Sequence, residues 1–476
     1  MDYAKFIDRE EELSFLHGIL SSKEFQLIPV WGRRRIGKTS LLLKALNGTG
    51  VYFLSNEVTD RQNIERFQET AAKQLEDPTI LDLKPDWEII FRTLAERDLP
   101  IVIDEFPYLV ASNSAIPSIF QAIVDLHLRK TSTKLFLCGS SIRMMESSVL
   151  DYRAPLYGRR TGQIQLRPLK FVYLHAFFPQ YGLEDLVRLF GVCGGVPPYL
   201  EALDPKLTFW DNVGMKVLNK RFQFAHEVDF LLKQEFNNLG VYKSILKAIA
   251  DGRTRVEEIR DVLGMGKSDI SPYLNKLVTI GLIKRTVPVT EQEKVSRKGI
   301  YLIEDQFLAF HFRYILQNWA MIEAGRTEGV LEQIRTDYDS YLGRVFEKVA
   351  MEAFLDWCTS RKEVWEKVGR WWFKESEIDL VALSSSRNEM LCAEVKWSAK
   401  PISPRVIEDL VRKSGEIRWG RPDRRTRYLL ISRGGFTPTC KRLMGDEGIL
   451  YWNWRDLEKW ACGKTKGKIF SSTTRE

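Results

Sequence analysis

Short apolar runs alternate with helix-patterned polar stretches over the first 140 or so residues. Gln26-Leu27-Ile28-Pro29-Val30-Trp31, Val51-Tyr52-Phe53-Leu54, Pro100-Ile101-Val102-Ile103 and Lys134-Leu135-Phe136-Leu137-Cys138 are too short for helices and read as buried strands. Between them, 61–75, 86–96 and 116–127 carry apolar positions three and four apart and predict helices. Strands alternating with helices predict a parallel α/β sheet with ligand at the carboxyl ends of its strands.

The pattern changes after about residue 240. Segments 242–250, 255–263 and 271–280 predict short helices. Thr254 caps the second; Ser268 or Ser271 caps the third, with Pro272 in its first turn. Gly264-Met265-Gly266 turns between them and Gly281 ends the last. A hairpin follows, 282–287 out and 300–303 back around a charged tip at 291–298, so the whole reads as a winged helix-turn-helix. Phe and Tyr residues through Tyr314 fall at helical spacing, which favours core packing over a base-stacking platform. Farther on, 341–355 predicts a helix, and Ile378–Leu383 and Met390–Trp397 form two strands around a turn at 384–388.

Composition narrows the function classes. A chain of 476 residues exceeds one core and implies several domains. Six scattered cysteines without a C-x-x-C pair, and five dispersed histidines, exclude a zinc cluster and a disulfide framework. Apolar runs are too short to span a bilayer and none follows Met1, so a cytoplasmic protein without membrane attachment is expected. A net charge of +8 leans toward nucleic acid.

The candidate chemistry begins at Gly32-Arg33-Arg34-Arg35-Ile36-Gly37-Lys38-Thr39, a complete G-x-x-x-x-G-K-T loop between a strand and a helix beginning at Ser40. Its glycines let successive backbone N–H groups face a polyphosphate, Lys38 reaches the β/γ-phosphates and Thr39 ligates Mg²⁺, so ATP and Mg²⁺ are the expected cofactors. Asp104 and Glu105, at the tip of an apolar strand, are placed to hold the Mg²⁺ shell and to polarise the attacking water. Gly139-Ser140-Ser141 ends the next strand, as a γ-phosphate sensor or an ordinary turn. Arg159 and Arg160 are candidate arginine fingers toward a neighbouring subunit, which implies a homo-oligomer; surface ion pairs are the alternative.

These segments, with Phe6-Ile7-Asp8-Arg9-Glu10, Leu156-Tyr157-Gly158-Arg159-Arg160 and Gly194-Gly195-Val196-Pro197, resemble the archaeal-type ATPase family of the STAND class of AAA+-related P-loop proteins. The resemblance implies an ATP-hydrolysing switch with a helical lid after the sheet, and an adenine pocket lined by Phe6–Arg9.

A second chemical signal lies near the C-terminus. Period-two alternation puts Glu394 and Lys396 on one face of a strand, with Asp379 on the facing strand and Glu347 on a preceding helix. Carboxylates so grouped hold Mg²⁺, and an ammonium positions water or stabilises a pentavalent phosphate. The arrangement resembles the PD-(D/E)xK, restriction-endonuclease-like superfamily. By that resemblance Asp379, Glu394 and Lys396 are the catalytic core and Glu347 the helix-borne acid; Ile378 stands where Pro is usual. Lys267, Lys276, Lys284, Arg285, Lys294, Arg297 and Lys298 of the winged helix are candidate phosphate contacts. The stretch from Arg412 to Arg427 either follows a phosphate backbone or is solvated surface.

The expected organisation is a P-loop ATPase core at 1–170, a helical lid at 171–235, a winged helix at 236–320 and a nuclease-like α/β domain at 335–476. The expected function is ATP hydrolysis coupled to DNA binding and Mg²⁺-dependent cleavage; the alternative is a nucleotide-dependent signalling or scaffold switch that does not cut.

Overall fold

The computed structural model describes residues 6–463 apart from 223, 237, 267 and 268, with only the backbone of Gln234. Lys267 and Ser268, a candidate phosphate contact and a candidate cap, therefore lie outside the described residues. The chain divides into two compact units. One runs to Pro168 and takes in Val196–Pro198 and Leu231–Asn237; the other holds Leu169–Gly195, Tyr199–Phe230 and the chain from Asn238 onward.

The first unit is built on a parallel sheet of β1 (Gln26–Trp31), β2 (Val51–Leu54), β3 (Pro100–Asp104), β4 (Lys134–Gly139) and β5 (Ile164–Gln165), in the order β2-β3-β4-β1-β5. All but the short β5 come from the apolar runs. One face packs on Phe67, Trp87, Phe91 and Phe120, from the helices Asp60–Gln74, Trp87–Ala95 and Ile116–Ile123. The other packs on Leu16, Leu41 and Leu42, from Glu10–Leu20 and Lys38–Leu46. Side chains of β1 and β4 point alternately into the two layers, so each strand reads as continuously apolar.

β3 ends at Asp104, so only one of the two carboxylates expected at its tip belongs to the strand. Glu105 is not the second carboxylate of the strand; it turns to φ 52° and starts the helix Phe106–Ser112. A left-handed backbone on a non-glycine residue costs about 1–2 kcal/mol and is held only where its surroundings enforce it.

In the second unit, helices Leu239–Ala250, Val256–Val262 and Ser271–Thr279 precede an antiparallel ribbon of β6 (Ile283–Thr286) and β7 (Ile300–Ile303). Phe307, Phe310, Phe312 and Tyr314 are buried. The helix expected at 341–355 is one 35-residue helix, Thr327–Arg361, ended by Lys362 in the left-handed conformation. It packs on Leu183–Cys193, where the Tyr338 and Tyr341 hydroxyls donate to the carbonyls of Arg188 and Gly191.

A five-stranded sheet completes this unit: β8 (Lys367–Phe373), β9 (Ser376–Ser384), β10 (Glu389–Lys396), β11 (Arg425–Ser432) and β12 (Leu450–Trp452), ordered β12-β11-β10-β9-β8. β9 is antiparallel to both of its neighbours, β8 and β10; β10, β11 and β12 run parallel, joined through the helices Pro404–Gly415 and Pro438–Asp446. All six cysteines are free thiols. No single helix among the described residues is long and apolar enough to cross a membrane.

Candidate functional site

The loop from Gly32 to Gly37 joins the carboxyl end of β1 to the helix Lys38–Leu46. Gly32 has φ 155°, and a Cβ there would stand 2.4 Å from the Leu166 carbonyl oxygen, so any side chain would collide with backbone. Gly37 has φ 93° and open space where a Cβ would be, which leaves the helix N-terminus accessible. Arg35 is also left-handed, at φ 64°. Ile36 anchors the loop in the core beside Leu41 and Val30, and Arg33, Arg34 and Ser40 are half-buried along it. Arg9 braces it from the N-terminal side, donating to the carbonyls of Arg167 (2.6 Å) and Ile36 (3.4 Å). Phe6 lies under the Lys44 ammonium, 4.0 Å from ring centre to Nζ.

Lys38 Nζ donates to the carbonyl oxygens of Gly32 (2.9 Å) and Arg33 (3.1 Å), an ammonium held against its own loop. Phosphate oxygens are stronger partners for it than neutral carbonyls. Thr39 Oγ1 donates to Asp104 Oδ2 at 2.7 Å. A hydroxyl beside a buried carboxylate is the hard-oxygen set that suits Mg²⁺, so these residues fit the ion that a P-loop implies. Tyr52, a strand residue without a motif, donates its phenol to the same Asp104 oxygen at 2.7 Å. Burial, then the Asp104 charge, raises that phenol far above its ordinary range, so it stays a donor.

Glu105 sits one residue on. Its Oε2 accepts from the Ser140 N–H (3.2 Å) and the Ser140 hydroxyl (2.8 Å), linking the acid to the tip of β4. Ser141 caps the helix Ile142–Met145 and donates to Glu235 at 3.4 Å. Glu235 carried no sequence signal; burial raises its carboxyl. The two arginines differ. Arg159 makes a forked pair with Asp125, its closest contact 2.8 Å, and also donates to the Pro155 carbonyl, so it is held within its own chain. Arg160 is half-buried, bonded to Gln163 and stacked on Tyr157.

The C-terminal acids do come together. β9 and β10 pair with Leu380 opposite Ala393, which sets Asp379 across from Glu394. Lys396 donates to Glu394 Oε1 from the same face. Glu394 is 6% exposed and its Oε2 has no partner among the described residues. Asp379 accepts one main-chain bond, from Val395 at 2.8 Å. Burial, with the Glu347 and Glu394 carboxylates beside it, pushes Asp379 up to about 8. Glu347, from the 35-residue helix, faces Arg370 of β8 at 3.1 Å. Among the described residues no three His, Cys, Asp or Glu side chains converge as a ready-made metal cage. Mg²⁺ needs only one or two carboxylates and keeps several waters, so the unpaired Glu394 oxygen beside Asp379 fits such an ion.

Much of the basic charge is engaged locally. Arg285 donates to the Glu293 and Ser296 carbonyls, and Lys298 pairs with Glu291. The segment between β6 and β7 docks on β8: the Val289 N–H donates to the Arg370 carbonyl at 2.9 Å, and Val289 joins the core of the five-stranded sheet. Farther along, Arg424 bonds the carbonyls of Ser414, Ile417 and Trp419, while Arg427 pairs with Glu363. Arg412 and Lys413 pair with Asp409.

A parallel sheet in this strand order, a wrapping G-x-x-x-x-G-K-T loop, and a threonine bonded to the strand-end aspartate define a P-loop ATPase. Residues 6–203 match a family described as an ATPase domain predominantly from Archaea, and residues 311–407 match one described as Archaea bacterial proteins of unknown function. Over 435 residues the chain is 43% identical to the uncharacterized protein MJECL04 of Methanocaldococcus jannaschii, covering 90% of this chain and 95% of that one. The chain belongs to the same family as that protein, and its residues 6–203 are the archaeal-type ATPase domain. Among solved structures, the Walker-type ATPase PABY2304 of Pyrococcus abyssi is 22% identical, with 65% of this chain and 96% of that one covered at a TM-score of 0.47. The Aeropyrum pernix ORC2 protein is 13% identical, with 68% and 97% covered at a TM-score of 0.41.

Proposed function

We propose that this ATPase drives a DNA-handling protein with a metal-dependent nuclease on its C-terminal sheet. The observation that carries the reading is the grouping of buried Glu394 with half-buried Asp379 and Lys396 on adjacent antiparallel strands, one Glu394 oxygen having no partner among the described residues. Carboxylates so placed are unfavourable unless a cation joins them. A divalent ion there would supply Lewis-acid charge to a phosphodiester. Glu394 and Asp379 would hold it, Lys396 would keep a proton and a positive charge beside the reacting phosphate, and Glu347 would stand as the outer acid. Strands 376–384 and 389–396 and the long helix before them support a restriction-endonuclease-like reading of 335–476, and the helices and ribbon of 236–320 support a winged helix.

In the ATPase core, Gly32–Ser40 would cradle the phosphates of ATP, Thr39 and Asp104 would hold Mg²⁺, and Glu105, steered by Ser140, would orient the attacking water. Residues 171–235 would act as the lid. Arg160 is the better candidate to reach a second copy of the chain, because Arg159 is committed to Asp125. The test is DNA cleavage by the full-length protein with Mg²⁺ or Mn²⁺, with and without ATP. Cleavage by wild type that Glu394→Ala abolishes is expected; no cleavage under any of these conditions would remove the nuclease from the reading.

A second reading has its own support. The Val289 bond to β8 ties the wing to the chain's own sheet, as expected of a nucleotide-dependent switch or scaffold that docks internally and does not cut. Intact activities in both Glu394→Ala and Lys396→Ala would favour it.

A further inference from the structure

Glu347 and Asp379 are half-buried in a recess of the surface. They line a cleft of about 390 Å³ whose other wall comes from the helix–ribbon segment: Thr254 and Arg255 before the helix Val256–Val262, and Ile300 and Leu302 of β7. The wall is fixed by the main-chain bond from Val289 to Arg370 and by burial of Val289 in the sheet's core. A site of this volume lies near the lower end of small-molecule pockets, roughly 300–1,000 Å³. Paired DNA carries both strands on one stiff body and needs an open groove; a single strand can lower one nucleotide at a time.

The cleft's lining suits a single strand. Arg344 lies one turn before Glu347 on the same helix; it is exposed, and its charge reaches the Glu347 carboxylate. Arg255 and Lys374, also exposed, add cations at the rim. Trp372 of β8 offers a half-buried ring beside these rim cations, which together with Arg370 match the four lining acids Glu347, Glu375, Glu377 and Asp379 in number; aromatic faces beside cations are how proteins hold unpaired bases without reading sequence. The unpaired Glu394 oxygen, on a side chain 6% exposed, lies beside Asp379 of this lining and marks the group as built for a ligand.

We propose that this cleft takes single-stranded DNA, with backbone phosphates on Arg255, Arg344 and Lys374 and a base on Trp372, so that the acids meet an unpaired strand and not a duplex. This names the substrate of the nuclease reading and rests on it. Binding is measured by fluorescence anisotropy on the full-length protein in EDTA, so metal and cleavage play no part. The probe is a labelled oligonucleotide of about 16 nucleotides, the upper end of single-strand footprints, free or in a blunt duplex.

The single strand is expected to bind at least about tenfold more tightly than the duplex, and Trp372→Ala to weaken it by about tenfold. Arg344→Ala, a change on an exposed position that leaves the fold alone, is expected to weaken it severalfold and to lower the salt slope by about one phosphate contact. Equal or tighter binding of the duplex, or single-strand affinity unchanged in Arg344→Ala, would overturn the proposal. The two readings fail differently. Arg344-dependent single-strand binding without Mn²⁺-dependent cleavage removes the nuclease and leaves the cleft; equal cleavage of duplex and single strand removes the cleft proposal and leaves the nuclease.

Discussion

Asp104, at the end of β3, is 1% exposed and accepts hydrogen bonds at both oxygens, from Thr39 and Tyr52 at Oδ2 and from the Glu105 N–H at Oδ1. Asp379, near the start of β9, is half-buried beside two more carboxylates and accepts a single main-chain bond. One acid is held by neutral donors of its own unit; the other is crowded by like charge. A nucleotide site must stay assembled between turnovers, and hydroxyl donors keep it so without a bound ion. The second acid keeps a proton at pH 7, its carboxyl pushed up to about 8, which a bound cation would displace, so ligand binding, protonation and local stability would be linked there.

The sharpest way to separate the sites is to disable the first. Lys38→Ala removes the charge aimed at the phosphates while breaking only bonds to the loop's own carbonyls. ATP hydrolysis, followed by phosphate release, is expected to fall by about 10²–10³-fold, the usual loss for one preorganised donor. Mn²⁺ is expected to raise the melting temperature of this variant as much as that of wild type. If Mn²⁺ stabilisation vanished together with hydrolysis, the two acid groups would not be independent.

The ATPase loop was readable because its chemistry is local: Gly32, Gly37, Lys38 and Thr39 carry it in eight consecutive positions. Tyr52 was not, since its phenol meets Asp104 only after β2 pairs with β3, and nothing in Val-Tyr-Phe-Leu marks it. Asp379, Glu394 and Lys396 were readable as a hairpin with period two, whereas Arg370 lies on a strand interrupted by Gly369 and a register shift, which hides its alternation. The long helix was foreseen only in its middle, where Tyr341, Val345 and Val349 recur at helical spacing. Its first turns contain Gly329 and hold through packing that no local pattern reports.

His311 tests whether the second unit's response to acid belongs to the cleft at all. It is 5% exposed among Phe307 and Phe312, and burial lowers it to about 4 from an ordinary 6.5. A histidine lowered by folding supports stability fully above about pH 6.5 and loses it as pH falls toward 4, because the unfolded chain binds the proton first. The shift corresponds to about 3 kcal/mol. In urea titrations of metal-free protein, His311→Phe is expected to lose about 3 kcal/mol less than wild type between pH 7 and pH 4. Equal losses would mean that His311 does not carry the acid response, and the raised cleft carboxylates, which gain stability as pH falls, could not carry it either.

A smaller effect probes that proton on Asp379. Asp379→Asn keeps an oxygen for the Val395 N–H and puts a neutral amide in place of a carboxyl that must bind a proton on folding at pH 7. In EDTA at pH 7 the variant is expected to be about 2 kcal/mol more stable than wild type, a rise of roughly 4–8 °C. Mn²⁺ is expected to stabilise wild type and leave the variant nearly unmoved. A variant less stable than wild type without metal would mean that Asp379 serves the fold, and the contrast with Asp104 would collapse.

Tyr52→Phe addresses the other half of that contrast with the least disturbance. It deletes one donor to Asp104 Oδ2 and leaves Thr39, the strand pairing and the ring in place. A hydrogen bond to a charged acceptor is worth about 1.5–3 kcal/mol, part of which water recovers, so about a tenfold fall in ATP hydrolysis is expected. If Tyr52 orients Asp104 toward the ion, the loss appears as a higher Mg²⁺ requirement, and raising Mg²⁺ restores much of the rate. A purely structural phenol would instead lower the melting temperature and leave the Mg²⁺ titration where it was. The rescue by Mg²⁺ therefore decides whether Asp104 is held ready for its ion by neutral donors, in the way that distinguishes it from the crowded Asp379.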